Sequence, residues 1–412
     1  MAKQASLASD LAAIVGRENV APGTPEYAVD DLAPKSVVRP GTPEEVAGVM
    51  SYANANRLAV IPLGGRNHAG IGNLPERYDL ALDVTRLNKV VEFEPADLTI
   101  TVQAGITLGA LRPAIGAANM MVPFDPSLPD GATVGGVLAG ALSGPARMSL
   151  GAPRDFTIGL RVVTADGKLT RAGGKVVKNV AGYDLCKLYI GSLGTLGVIV
   201  EATFKTVPRP KAEQRLAFAF AFDDPTSACA LVSRAVRAGL AVRSVSLIRE
   251  ASGWRLDLVL AGMSASVQRS ARSLSEAIDG STIRELDRKP TENTRTAKQT
   301  PANLISRLSV LPFRLPALLN EAPSADAAVE AHPATGLCRL SFPEATPEAI
   351  AEARAISARF GGTCVIERSP PGLKRAIDVF GDAPPSLSLM RAIKEEFDPN
   401  RVLSPGRLVG KI

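Results

Sequence analysis

The chain has 412 residues, 46% hydrophobic and 21% charged; this is more than one comfortable core and ordinary for a globular protein, so two compact domains are expected. A net charge of +6 from 47 basic and 41 acidic residues suits an anionic cofactor, an acidic substrate or an anionic lipid surface, while 4% aromatics and no basic block beside them argue against nucleic acid. Four scattered cysteines and two histidines, His68 and His332, argue against a disulfide frame and exclude a centre of several imidazoles; no window reaches the roughly 20 apolar residues of a membrane span, and the start, broken by Asp10, reads as no leader. A cytoplasmic protein with reduced thiols is expected.

In chain order, Leu7, Leu11, Ile14 and Val15 stand at helical spacing. Thr42-Pro43-Glu44-Glu45 then supplies an N-cap, a proline at the first helical position and a glutamate three residues after the cap, predicting a helix that runs out at Asn56. Strands are predicted at 58–62, 80–83, 90–93 and 98–104, and a helix from the Thr107 cap to about Ala118. Pro123 to Gly136 is too rich in proline and glycine for regular structure, and Asp166-Gly167 turns a hairpin over 161–170.

Three glycine-bearing segments punctuate this half. Leu63-Gly64-Gly65-Arg66-Asn67-His68 follows a strand; adjacent glycines let successive N–H groups converge on a phosphate, and Arg66 adds charge. Its spacing matches neither a P-loop nor a dinucleotide fingerprint, so a plain glycine turn fits equally. The second is the loop before Val137. The third, Gly173 to Pro210, packs glycines among apolar and β-branched residues, with Lys175 and Lys178 able to face an anion.

Beyond Pro210, alternation at Leu216, Phe218, Phe220 and Phe222 predicts a strand, followed by helices at 225–238 and 267–278 with strands at 242–248 and 254–260 between them. Asp287 to Pro301 is a polar run without periodicity, 335–368 reads strand, helix, strand, and Leu387 to Phe397 forms a last helix.

Six blocks in order carry a family resemblance: PLGGRNHAGIGN (62–73), PDGATVGGVLAG (129–140), GAPRDFTIGLRVVTADGKL (151–169), KNVAGYDL (178–185), GSLGTLGVI (191–199) and FDPNRVLSPG (397–406). Together they resemble the FAD-binding domain of the vanillyl-alcohol oxidase/p-cresol methylhydroxylase family, and within it the FAD-binding E-type subunits of bacterial glycolate oxidases. The resemblance implies an α+β protein: a two-subdomain FAD-binding domain over 1–208, an α+β cap over 209–375 and a C-terminal segment, 376–412, that returns to the FAD domain. It implies non-covalent FAD held by Leu63, Gly64, Gly65, Arg66, Asn67 and His68 at the pyrophosphate, with Pro129, Thr133, Gly135, Gly136, Arg154, Asp155, Ile158, Gly194, Gly197, Ile199 and Ser404 lining the rest. Leu193 and Ser404 depart from the glutamate and asparagine common in relatives; the first agrees with an E-type subunit and the second puts one flavin contact in doubt.

For chemistry, Lys178, Asn179 and Tyr183 are the catalytic candidates, a lysine to stabilise charge on a reduced flavin and a tyrosine or asparagine to orient a carboxylate. No metal site is expected, and no GxSxG or nucleophilic triad is present. The expected function is that of an FAD-binding subunit of a glycolate oxidase complex, oxidising glycolate to glyoxylate with a homologous flavoprotein subunit and an iron–sulfur subunit. Peripheral membrane attachment would come through those partners. The alternatives are a self-sufficient FAD-dependent D-2-hydroxy acid dehydrogenase and a non-catalytic scaffold stabilised by FAD.

Overall fold

The structure, a computed structural model, describes residues 2–125, 128–175, 183–220, 225–277, 284–285, 302–323 and 327–412. The capping residues at 42–45 act as the sequence predicts: Thr42 Oγ1 accepts from the Glu45 N–H at 3.1 Å, the Glu45 carboxylate takes the Gly41 N–H at 2.6 Å, and the helix Pro43–Ala55 follows. Its buried stripe, Val46, Val49, Met50 and Ala53, packs on a four-stranded sheet of β1 (Val20–Pro22), β2 (Ser36–Val38), β3 (Val60–Leu63) and β4 (Leu80–Asp83), in the order β1-β2-β4-β3. The last three strands are parallel, and all four residues of β4 are buried.

The next strands are β5 (Val90–Glu94), β6 (Thr99–Gln103), β7 (Met120–Met121), β8 (Thr157–Val163), β9 (Leu169–Gly173), β10 (Val198–Lys205) and β11 (Val207–Pro208). Five of them form an antiparallel sheet ordered β5-β6-β10-β8-β9, and β7 pairs with β11. The β8–β9 hairpin turns at Gly167, whose φ is 85°, as Asp166-Gly167 predicts. Helices Leu108–Gly116 and Val134–Ala139 contribute Leu108, Leu111, Val134, Val137 and Leu138 to the core under this sheet. The second helix corrects the expectation of irregular structure up to Gly136: Thr133 caps it through its hydroxyl, which accepts from the Gly136 N–H at 3.3 Å.

A single antiparallel sheet of eight strands follows: β12 (Ala212–Phe220), β13 (Val242–Glu250), β14 (Gly253–Gly262), β15 (Arg284–Glu285), β16 (Leu304–Ser309), β17 (Ala328–His332), β18 (Leu337–Phe342) and β19 (Thr363–Arg368). Their order is β15-β12-β14-β13-β17-β18-β16-β19. One face is apolar and is covered by the helices Pro225–Arg237, Ser264–Glu276 and Pro347–Arg359. The other is polar, with Glu330, Arg339 and Arg307 in register across three adjacent strands. The predicted run Asp287 to Pro301 lies outside the described residues.

After the helix Leu387–Phe397 the chain returns to the first sheet, where the Val60 N–H donates to Val402 at 2.7 Å and the Ser404 N–H to Val60 at 2.9 Å. The tail thereby runs along β3, beside the glycine loop that follows it.

Candidate functional site

A cleft of about 960 Å³, its mouth included, opens where the end of β3, the helix Val134–Ala139, the 192–199 segment and the tail converge. Leu63, Gly64, Gly65, Arg66, Asn67, His68, Thr133, Gly135, Gly136, Gly194, Gly197 and Ile199 all line it. Segments as distant in sequence as the Gly64 loop and Arg407 of the tail are thus brought to one place.

The backbone there is built for close approach. A Cβ on Gly64 would collide with Thr133 Oγ1 and one on Gly65 with the Gly131 carbonyl. Asn67, oriented to satisfy both partners, donates to the Gly65 and Gly131 carbonyls at 3.1 and 3.0 Å. Gly194 has φ 73°, and Arg66, Leu193 and Ser404 hold positive φ of 57°, 53° and 43° without being glycine. Strained residues of this kind gather where structure serves a ligand. The 192–199 loop is held from behind: buried Lys394 donates to the Thr195 and Leu403 carbonyls, each at 2.8 Å, and pairs with Asp398 at 2.6 Å.

Arg66 does not point a free charge into this space. Its guanidinium pairs with Glu26 at 2.6 Å and Asp83 at 3.5 Å and lies 4.4 Å over the Tyr27 ring. Reading the chain in order missed Arg407, which also lines the cleft and whose Nε and Nη1 are buried without partners. Its signal was a cation directly after Gly406, a tail glycine with φ 87°. Ser404 Oγ is a second buried orphan, close to Gly194.

Pro129, Arg154, Asp155, Ile158 and Ser404 do not line the cleft. The Pro129 carbonyl closes a turn with the Ala132 N–H, the Asp155 carboxylate takes the Ala152 N–H at 2.7 Å, Arg154 is exposed, and the Ile158 carbonyl accepts from Gly174. Of the catalytic candidates, Lys178 and Asn179 lie outside the described residues, and Tyr183 is 92% exposed.

On the cap side, one carboxylate joins two guanidiniums: Glu367 accepts from Arg307 at 2.9 Å and Arg339 at 3.0 Å, with Glu330 4.0 Å from Arg339. Attraction to the two arginines holds the Glu367 carboxyl below its usual range against the opposing effect of burial. His68 is near enough to feel Glu367, Arg339 and Arg368, so this charged row stands beside the cleft. His332 is buried at the end of β17 with Nδ1 3.1 Å from the Val245 carbonyl. Among the described residues, no group of three or more His, Cys, Asp or Glu is placed to hold a metal, and no helix is long and apolar enough to cross a membrane.

The cleft fits FAD: glycine positions at which a side chain would collide, a strained rim, and a buried guanidinium without a counter-charge. Residues 34–173 match the FAD binding domain family and residues 381–408 the C-terminal domain of FAD linked oxidases. The chain is 36% identical to glycolate oxidase subunit GlcD of Bacillus subtilis over 194 residues, 47% of this chain and 40% of that one. It is 38% identical to a D-2-hydroxyglutarate dehydrogenase of Xanthomonas citri over 191 residues (46% and 40%), and 43% identical to glycolate oxidase subunit GlcE of Escherichia coli over 136 residues (33% and 39%). It thus spans about two fifths of the length of these curated relatives. Among solved structures it resembles p-cresol methylhydroxylase (TM-score 0.72, 18% identity) and 4-ethylphenol oxidase of Gulosibacter chungangensis (0.72, 16%), each over 99% of this chain and 97% of that one. The fold is therefore the α+β fold of the p-cresol methylhydroxylase type, residues 34–173 match the FAD binding domain family, and FAD is the cofactor.

Proposed function

We propose that the chain is an FAD-binding subunit of a glycolate oxidase-type complex that oxidises a small 2-hydroxy acid, glycolate to glyoxylate, with a homologous flavoprotein subunit and an iron–sulfur subunit. The observation that carries this reading is that the chain is similar to two glycolate oxidase subunits, GlcD over 194 residues and GlcE over 136.

Bound FAD supplies a two-electron acceptor for the hydrogen leaving the hydroxyl-bearing carbon. The chain's part is to hold it. The Gly64–His68 loop offers backbone N–H groups to the pyrophosphate, Thr133 to Gly136 and Gly194 to Ile199 wall in the cofactor, and attachment is non-covalent. Lys178, Asn179 and Tyr183 are proposed to orient the substrate carboxylate and stabilise charge, with Tyr183 needing cover to do so. The exposed Tyr183 and Leu185 suit a surface that a partner subunit covers. In the charged row beside the cleft, Arg307 and Arg339 are matched by Glu367 and Glu330, which leaves those two arginines poorly placed to bind a second carboxylate. That favours an active site completed by a partner.

The similarity to D-2-hydroxyglutarate dehydrogenases favours a second reading, a self-sufficient D-2-hydroxy acid dehydrogenase. Anaerobic mixing of the FAD-loaded chain with glycolate, D-lactate or D-2-hydroxyglutarate, alone and with its partners, separates the two. Bleaching only with partners supports the first, and rapid bleaching alone supports the second.

A further inference from the structure

Two arginines line the cleft, and they differ in what already holds them. Arg66 is committed to Glu26, Asp83 and the Tyr27 ring. Arg407 is 4% exposed, and a single terminal nitrogen, Nη2, donates to the Ala69 carbonyl at 2.7 Å and to the Ile71 carbonyl, while Nε and Nη1 are buried without a partner. Among the described residues no carboxylate pairs with it. The acid felt there, Asp30, has Oδ1 on Lys374 at 2.7 Å and forms no ion pair with Arg407. Burial pushes the Arg407 pKa down to about 10, the mark of a cation short of counter-charge. A guanidinium buried this deeply with two open donors is costly unless something completes it. The same turn carries Ser404, whose buried hydroxyl is also unpartnered, and closes on itself through the Arg407 N–H to the Ser404 carbonyl at 3.3 Å.

We propose that Arg407 supplies positive charge to the bound FAD: it lines the cleft, its Nη2 is pinned by two carbonyls, and no carboxylate among the described residues neutralises it. Two parts of FAD offer matching negative charge: a pyrophosphate oxygen, and the pyrimidine edge of the flavin ring, which becomes more negative on reduction. In either case the tail contributes a binding residue as well as a brace along β3.

The test compares Arg407→Met with Lys374→Met in the full chain. Lys374 Nζ holds the intervening Gly70 carbonyl at 2.5 Å, so its loss loosens the same loop without removing a donor from the cleft. The oxidised affinity is read from quenching of flavin fluorescence on titrating FAD into apoprotein, and the midpoint potential from anaerobic equilibration with redox dyes. Arg407→Met is expected to weaken FAD binding at least tenfold beyond the effect of Lys374→Met in at least one redox state. Equal loss in both states with an unchanged potential marks the pyrophosphate. Greater loss in the reduced state marks the ring, and the potential then falls by about 30 mV per tenfold difference. Affinities within twofold of the unaltered chain in both states, or losses equal to those of Lys374→Met, would overturn the proposal and leave Arg407 a loop anchor. Should Arg407→Met not fold, Arg407→Gln, which can still donate to a loop carbonyl, is judged against the same thresholds.

Discussion

Gly64 and Gly65 set the narrowest requirement on the cleft, because a Cβ at either position meets Thr133 Oγ1 or the Gly131 carbonyl. Gly65→Val should therefore displace the loop and cost a few kcal/mol of FAD affinity, about the scale of overpacking in a tight interior. Arg66→Ala should leave FAD dissociation within a few-fold and instead lower the thermal midpoint, since its contacts are Glu26, Asp83 and Tyr27. Fluorescence titration and melting of both variants check this pair of outcomes. His332 gives a pH signature. Burial pushes its pKa below 6.5, with Glu330 and the Val245 carbonyl opposing, so the unfolded chain takes the proton first as pH drops. Its contribution is complete above about pH 6.5, the unfolded value, and is lost as pH falls toward the folded one. Urea midpoints should drop between pH 7.5 and 5.5, and His332→Gln should flatten that slope.

At the scale of elements, the tail helix acts through one buried ion pair. Asp398 accepts from Lys394 Nζ at 2.6 Å and from the Val402 and Leu403 N–H groups at 2.9 and 2.8 Å, while Lys394 reaches across 199 residues to the Thr195 carbonyl. Asp398→Ala strands a buried ammonium and should destabilise the chain by about 3–5 kcal/mol in urea unfolding, the usual cost of breaking such a pair. This pair also shows where sequence reading stops. The helix starts at Thr42 and Thr107 and the turn at Asp166-Gly167 are legible because a cap or a turn is settled by residues three or four apart. The loops that line the cleft are legible mainly as ordered motifs. The order of the eight-stranded sheet, the pairing of Arg66 with Glu26 across 40 residues and the open donors of Arg407 depend on contacts no local pattern encodes.

For the whole molecule, two small sheets carry the cleft and the eight-stranded sheet sets a charged face beside it. FAD held by loops and buried polar groups should leave with acid: precipitation of the yellow protein is expected to release the flavin into the supernatant. Colour retained in the pellet, with a His68 peptide of flavin-added mass, would contradict non-covalent binding. Oxidation of a 2-hydroxy acid needs a group to take the hydroxyl proton, help typically worth about 10²–10⁴-fold, and the carboxylates of the charged row, Glu367 and Glu330, are engaged by Arg307 and Arg339. The most direct measurement is anaerobic stopped-flow absorbance of the FAD-loaded chain against millimolar glycolate, with and without the partner subunits. Slow or no bleaching of the lone chain and rapid bleaching of the assembled complex are expected; bleaching of the lone chain within seconds would overturn the partner-dependent reading.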